Sequence, residues 1–150
     1  MPQSLACVLV HVVFSTKNRV RWISPEVEAE VHAYLGGICR NADSPALSVG
    51  GTEDHVHILS SLGRTRSVSE LLQEIKTGSS KWIKTKGPKY ADFRWQDGYA
   101  AFSIGRSAEE DARRYIAGQK EHHRRVSFQD ELRAILQRYR VEYDERYIWD

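Results

Sequence analysis

The sequence predicts an α+β protein of the ferredoxin-like, split βαβ type. The expected core is an antiparallel, RRM-like sheet of strand order 4-1-3-2, with extra helices at the C-terminal end. Three observations carry this. Apolar periodicities follow one another in the order β-α-β-β-α-β. The first strand is apolar on both parities, as a central strand buried on two sides requires. The chain is 150 residues long, enough for one domain with a real core.

The elements are read in order. "LACVLVHVVF" (5–14) is valine-rich and apolar throughout except for His11, which makes it the first strand. "SPEVEAEVHAYLGGICR" (24–40) opens with Ser24 as N-cap and Pro25 at the first helical position, and Val27, Val31, Tyr34, Leu35 and Ile38 follow at helical spacing. "ALSVGG" (46–51) and "HVHILSSL" (55–62) read as a hairpin joined by Thr52, Glu53 and Asp54, with Asp54 in a turn role.

"SVSELLQEIKTGSSKWIKTK" (67–86) begins with a capping box, Ser67 to Glu70, and Gly78 marks a place where the helix could end or bend. "YAAFSIG" (99–105) is the fourth strand. "SAEEDARRYIAGQKEHH" (107–123) carries a second capping box, Ser107 to Glu110, and an Ala108–Ala112–Ile116 stripe; its closing His122 and His123 read as surface residues. "SFQDELRAILQRYRVEY" (127–143) is a last helix before the tail "DERYIWD". The domain is therefore expected to span 1–150, with its core at about 5–123 and a C-terminal helix and tail at 127–150.

Composition is that of an ordinary globular chain, 41% apolar and 28% charged, which argues against disorder. The longest apolar run is too short to span a bilayer, and no charged segment precedes it as a secretory signal needs. Cys7 and Cys39 form no metal or redox spacing and are expected to be buried reduced thiols of a cytoplasmic protein.

Net charge is only +2, but it is unevenly spread. Residues 61–94 hold eight basic side chains against three acidic ones, and "STKNRVRW" (15–22) adds Lys17, Arg19 and Arg21 with no acid. Residues 107–150 are balanced, nine against ten. Basic charge confined to two segments suits a phosphate-facing surface.

Chemistry concentrates at two places. On a strand, residues i and i+2 share a face about 7 Å apart. His55 and His57 can therefore converge on one metal ion while Val56 packs into the opposite layer. On the 107–123 helix, Tyr115 and Gln119 are four apart and share a face. Gln119 offers an amide oxygen to a hard cation, and Tyr115 a hydroxyl one turn away that can act as a nucleophile.

These residues, "HVH" (55–57) and "YIAGQ" (115–119), together with "FSTKNR" (14–19) and the wider run "GYAAFSIGRS…RRYIAGQKEHH", resemble the single-tyrosine HUH transposases of small insertion sequences. The likeness extends over nearly the whole chain. It implies an enzyme that binds hairpin-bearing single-stranded DNA ends and cleaves and rejoins them through a 5′-phosphotyrosine at Tyr115. It also implies Mg²⁺ or Mn²⁺ held by His55, His57 and Gln119. Imidazole ligation favours Mn²⁺ at least as much, because Mg²⁺ prefers oxygen.

The resemblance further implies a homodimer whose active sites are completed across subunits, in the cytoplasm of a prokaryote and associated with the nucleoid. Lys17, Arg19, Lys76, Lys81 and Trp82 are the candidate DNA contacts, through phosphate neutralisation and stacking.

Two other functions fit parts of the pattern. A non-catalytic RNA- or DNA-binding module on an RRM-like sheet expects exposed aromatics on the central strands, where only Phe14 is available. A metal-dependent nuclease that activates water would leave Tyr115 dispensable.

Overall fold

The computed structural model describes residues 2–149; Met1 and Asp150, the two ends of the expected domain, lie outside the described residues. Four antiparallel strands, β1 (Leu9–Ser15), β2 (Ala46–Gly51), β3 (His55–Ser61) and β4 (Ala100–Ile104), form one sheet of order β2-β3-β1-β4. Read from the other edge this is the expected order 4-1-3-2. The helices are α1 (Pro25–Asn41), α2 (Val68–Lys84), α3 (Glu109–Ala117), α4 (Gln119–His122) and α5 (Phe128–Arg138).

Both central strands are covered on two faces, which is why β1 shows no polar alternation. Val10, Val12 and Phe14 of β1, with Val56 and Ile58 of β3, face α1 and α2 and form the main core. The other parity builds the second face. There Val13 and Phe102 meet Phe128, Leu132 and Leu136 of α5, and Leu9 and Leu59 meet Ile116 of α3. Pairing of Val13 with His57 and of Ser15 with His55 sets both histidines on this second face.

Several local expectations change. The first strand begins at Leu9, not Leu5, because its ladder partners stop there: Leu9 pairs with Ser61 on β3 and with Ile104 on β4. Residues 2–8 are exposed, so Cys7 is an exposed thiol and only Cys39 is buried. Gly78 does not break α2. The apolar stripe of Leu71, Leu72, Ile75 and Ile83 continues past it, and a Cβ there would lie 3.1 Å from Ile38 Cδ1, so the glycine admits α1 at close range.

The Ser67 cap forms as expected, with its hydroxyl accepting from Glu70 N at 3.1 Å. The second expected box does not. A single 3-10 turn (Arg106–Ala108) precedes α3, Ala108 takes the cap position, and no side-chain cap bond is made. The expected unbroken helix over 107–123 divides at Gly118 into α3 and α4. Among the described residues no helix is long and apolar enough to cross a membrane.

Ile58 has no exposed surface and sits between the sheet and both helices of the main core. Ile58→Ala is expected to lower the unfolding free energy by about 2–5 kcal/mol, measured by urea denaturation of the metal-free protein.

Candidate metal and tyrosine site

The site is assembled on β3. His55 and His57 have no solvent exposure, and their rings lie 5.1 Å apart centre to centre. Val56 between them belongs to the opposite core. α3 supplies Tyr115 and α4 supplies Gln119, and both are pressed onto the sheet through Gly50. A Cβ on Gly50 would fall 2.3 Å from the Ile116 carbonyl oxygen, so only a bare backbone lets α3 approach this closely. Gln119 Oε1 then reaches 3.1 Å from His55 Nε2. The Tyr115 ring lies 5.8 Å from that of His57. Tyrosine, histidine pair and carboxamide meet within one chain.

Three residues belong to this cluster that the sequence reading did not assign to it. Asp54 is not only a turn residue: its Oδ1 accepts from His55 Nδ1 at 2.8 Å, which leaves the Nε2 lone pair of His55 aimed at Gln119. His123 is not a surface residue, since its Nε2 lies 2.9 Å from Gln119 Oε1 and 3.0 Å from Glu131 Oε1. Glu131, on α5, is only 3% exposed. Its Oε1 also lies 3.1 Å from His57 Nε2, and its Oε2 accepts from Gln119 Nε2 at 2.8 Å and from the Tyr115 hydroxyl.

A signal for Glu131 was present in the sequence, because it stands three residues after Phe128 and one before Leu132, within the apolar stripe of α5. His123 stands four residues after Gln119, on the same side of the chain. Opposite them, His11 of β1 is bonded to His57, Nε2 to Nδ1, at 2.8 Å. A cleft of about 520 Å³, lined in part by His11, Tyr115, His122, Glu131 and Arg138, opens beside the phenol.

Electrostatics follow from burial. Burial would raise the Glu131 carboxyl, but hydrogen bonds to His123 and His57 outweigh it and hold the group well below the usual carboxylate range. Burial and the Glu131 carboxylate push the Tyr115 phenol above its ordinary value. Burial lowers His57. Burial opposes a charge on His123, but its bond to Glu131 raises it overall.

The candidate DNA contacts are placed differently from one another. Lys81 is exposed on α2, and Lys17 is half-buried at the end of β1. Arg19 lies over the Trp149 ring at 5.7 Å. Lys76 donates to the carbonyls of Gln96, at 2.8 Å, and Gly98; burial lowers it to about 8. Trp82 is stacked on Tyr34, centroids 4.3 Å apart. Lys76 and Trp82 are thus engaged within the fold, and α2 lies on the opposite face of the sheet from the histidines.

His11 generates a pH prediction. Burial and the neighbouring His57 lower it to about 3, so at neutral pH it is uncharged in both folded and unfolded chains. Below its unfolded value of about 6.5 the unfolded chain binds the extra proton, so stability falls with pH from there towards the folded value. In the metal-free protein this loss should reach about 2 kcal/mol at pH 5 from His11 alone. Denaturation of wild type and His11→Asn at pH 7 and pH 5 checks it: the variant is expected to lose correspondingly less stability.

Comparison with known proteins adds to this geometry. No curated protein sequence matches the chain. Among solved structures, it superposes on a protein from Deinococcus radiodurans R1 described as a transposase, with a TM-score of 0.61 and 17% identity over 75% of this chain and 91% of that one. It also superposes on a REP-associated tyrosine transposase bound to a REP hairpin, with a TM-score of 0.53 and 13% identity over 76% of this chain and 65% of that one. At such identities these likenesses carry the fold. The family model described as "Transposase IS200 like" matches residues 5–119, a span that includes both the HVH and the YIAGQ segments. The chain belongs to the IS200-like transposase family.

Proposed function

We propose that this transposase binds hairpin-bearing single-stranded DNA ends and cleaves and rejoins them through a 5′-phosphotyrosine at Tyr115, with a divalent metal held by His55, His57 and Gln119. The observation that carries the reading is the convergence of a phenol, two imidazoles and a carboxamide in one chain, beside a cleft open to the phenol. The donor set suits a cation. Asp54 takes the Nδ1 hydrogen of His55, so His55 Nε2 and Gln119 Oε1 face each other at 3.1 Å as two lone pairs with no hydrogen between them.

Bound there, Mg²⁺ or Mn²⁺ would neutralise charge gathering on the scissile phosphate. The remaining work falls to the chain. Asp54 and His11 fix the two imidazoles from behind. The Tyr115 hydroxyl gives up its hydrogen by way of Glu131 Oε2, against which it rests, and its oxygen bonds to phosphorus as the bond to the 3′ oxygen breaks and that oxygen takes up the proton. That oxygen leaves as a 3′-hydroxyl. Attack by a 3′-hydroxyl on the phosphotyrosine reverses the step, so rejoining needs no nucleotide cofactor.

Hairpin DNA as the partner is supported by the structural neighbour solved with a REP hairpin. Lys17, Arg19, Lys76, Lys81 and Trp82 would meet that DNA; Lys81 is exposed for it, whereas Arg19, Lys76 and Trp82 would have to loosen contacts they make within the fold. A homodimer, with active sites completed across its subunits, would handle two ends. A passive RNA-binding sheet is disfavoured because α3 and α5 cover the face that would carry stacking aromatics.

The test is incubation with Mn²⁺ and labelled hairpin-bearing single strands, including the element's own ends. Wild type is expected to form a covalent protein–DNA adduct, and Tyr115→Phe to lose the adduct, with cleavage down at least about 10³-fold, while still binding. Continued cleavage by Tyr115→Phe would instead indicate a water-using nuclease.

A further inference from the structure

We infer that His123 and Glu131 are metal ligands alongside His55 and His57, so that helix α5 is fastened to the catalytic face through the ion. This rests on the reading above that the histidine pair holds a divalent cation.

The hydrogen-bond chemistry of His123 leads to it. Its Nδ1 lies 2.7 Å from the Val126 carbonyl oxygen, which can only accept, so the ring hydrogen is on Nδ1. Without an ion, a proton on Nε2 makes the bond to Glu131; in the neutral ring Nε2 is a bare lone pair that a cation can take in that proton's place. This nitrogen points at two further acceptors, Gln119 Oε1 at 2.9 Å and Glu131 Oε1 at 3.0 Å. His55 repeats the pattern, with Nδ1 bound by Asp54 and Nε2 aimed at Gln119 Oε1 and, at 3.6 Å, at Glu131 Oε1. Acceptors packed against acceptors in a dry interior repel unless a positive charge lies among them.

Glu131 makes the same demand independently. It is a buried carboxylate whose ion-pair partners among the described residues are all histidines; no lysine or arginine reaches it. A buried anion without a permanent cation is costly, and α5 places it there in the middle of an apolar stripe.

The donor atoms of His55, His57, His123 and Glu131 all lie within 4.8 Å of one another. That span is close to the roughly 4.2 Å between opposite ligands of a first-row ion with bonds of about 2.1 Å. Three imidazoles and one carboxylate favour Mn²⁺, Co²⁺ or Zn²⁺ over Mg²⁺, and leave a position open for a phosphate oxygen. Gln119 stays a ligand of the same ion: its Oε1 lies 3.1 Å from His55 Nε2 and 2.9 Å from His123 Nε2, while its amide nitrogen donates to Glu131 Oε2. Both added ligands lie beyond residue 119, where the family match ends.

The test uses the full chain, stripped of metal, and measures Mn²⁺ uptake by calorimetry. Wild type should bind one ion per chain. Glu131→Gln, which keeps the side chain's shape, and His123→Asn should each weaken binding by more than about 100-fold, beyond what loss of an outer partner costs. A loss smaller than that in both variants, with His57→Asn still abolishing binding, overturns the inference and leaves the histidine-pair reading intact. Failure of wild type to bind any divalent ion removes both.

Hydrogen exchange on the unmutated protein gives a readout that no folding defect can mimic. Amides of residues 128–138 should exchange at least about 10-fold more slowly with Mn²⁺ than without. No change in that segment overturns the inference.

Discussion

Side-chain alternation along β3 is the constraint on which the rest depends. Val56 and Ile58 fill the core beneath α1 and α2, and their burial fixes His55 and His57 to the other face. A slip of one residue in the pairing with β1 would send both imidazoles into the apolar layer and the valine and isoleucine into the site. The apolar core therefore does more than stabilise the chain. It selects the single register in which the ring nitrogens look toward Gln119 and Glu131, and the cost of burying two imidazoles is tolerated because β1 and β3 are held on both sides.

Much of this was legible in the sequence because it is encoded locally. The doubly apolar first strand, the Ser67 cap and the His-Val-His alternation each depend on residues a few positions apart, and each predicts its element correctly. Tyr115 and Gln119 were also legible, although Gly118 divides their helix, because hydrogen bonds from Gly118 to Arg114 and from His122 to Gly118 carry the turn across the break. What escaped is set by distance along the chain. Glu131 reaches the histidines only after α5 folds back over the sheet, and nothing near it in sequence announces that return except its place in an apolar stripe. His123 is exposed or buried according to where α5 sits. Gly78 was misleading for the same reason: its missing side chain answers to Ile38, forty residues earlier.

Positive charge divides between two jobs. Lys86 pairs with Glu30, Arg66 with Glu74, and Lys76 with backbone carbonyls, so part of the basic excess in residues 61–94 is consumed in holding α2 and its neighbours together. Lys81 and Lys84 stay exposed. Charge counts along a sequence overstate the field available to a phosphate backbone, because internal pairs must first be subtracted, and only the fold says which pairs form.

The placement of α5 has a geometric outcome for any polymer that approaches. Phe128, Leu132 and Leu136 roof the strands where an open four-stranded sheet would offer a flat platform, and Ile116 closes the remainder. The half-buried phenol faces a cleft walled by α3 on one side and α5 on the other, not an open sheet surface. Under the proposed chemistry, a cleft this narrow would leave most discrimination among sequences to surfaces outside it.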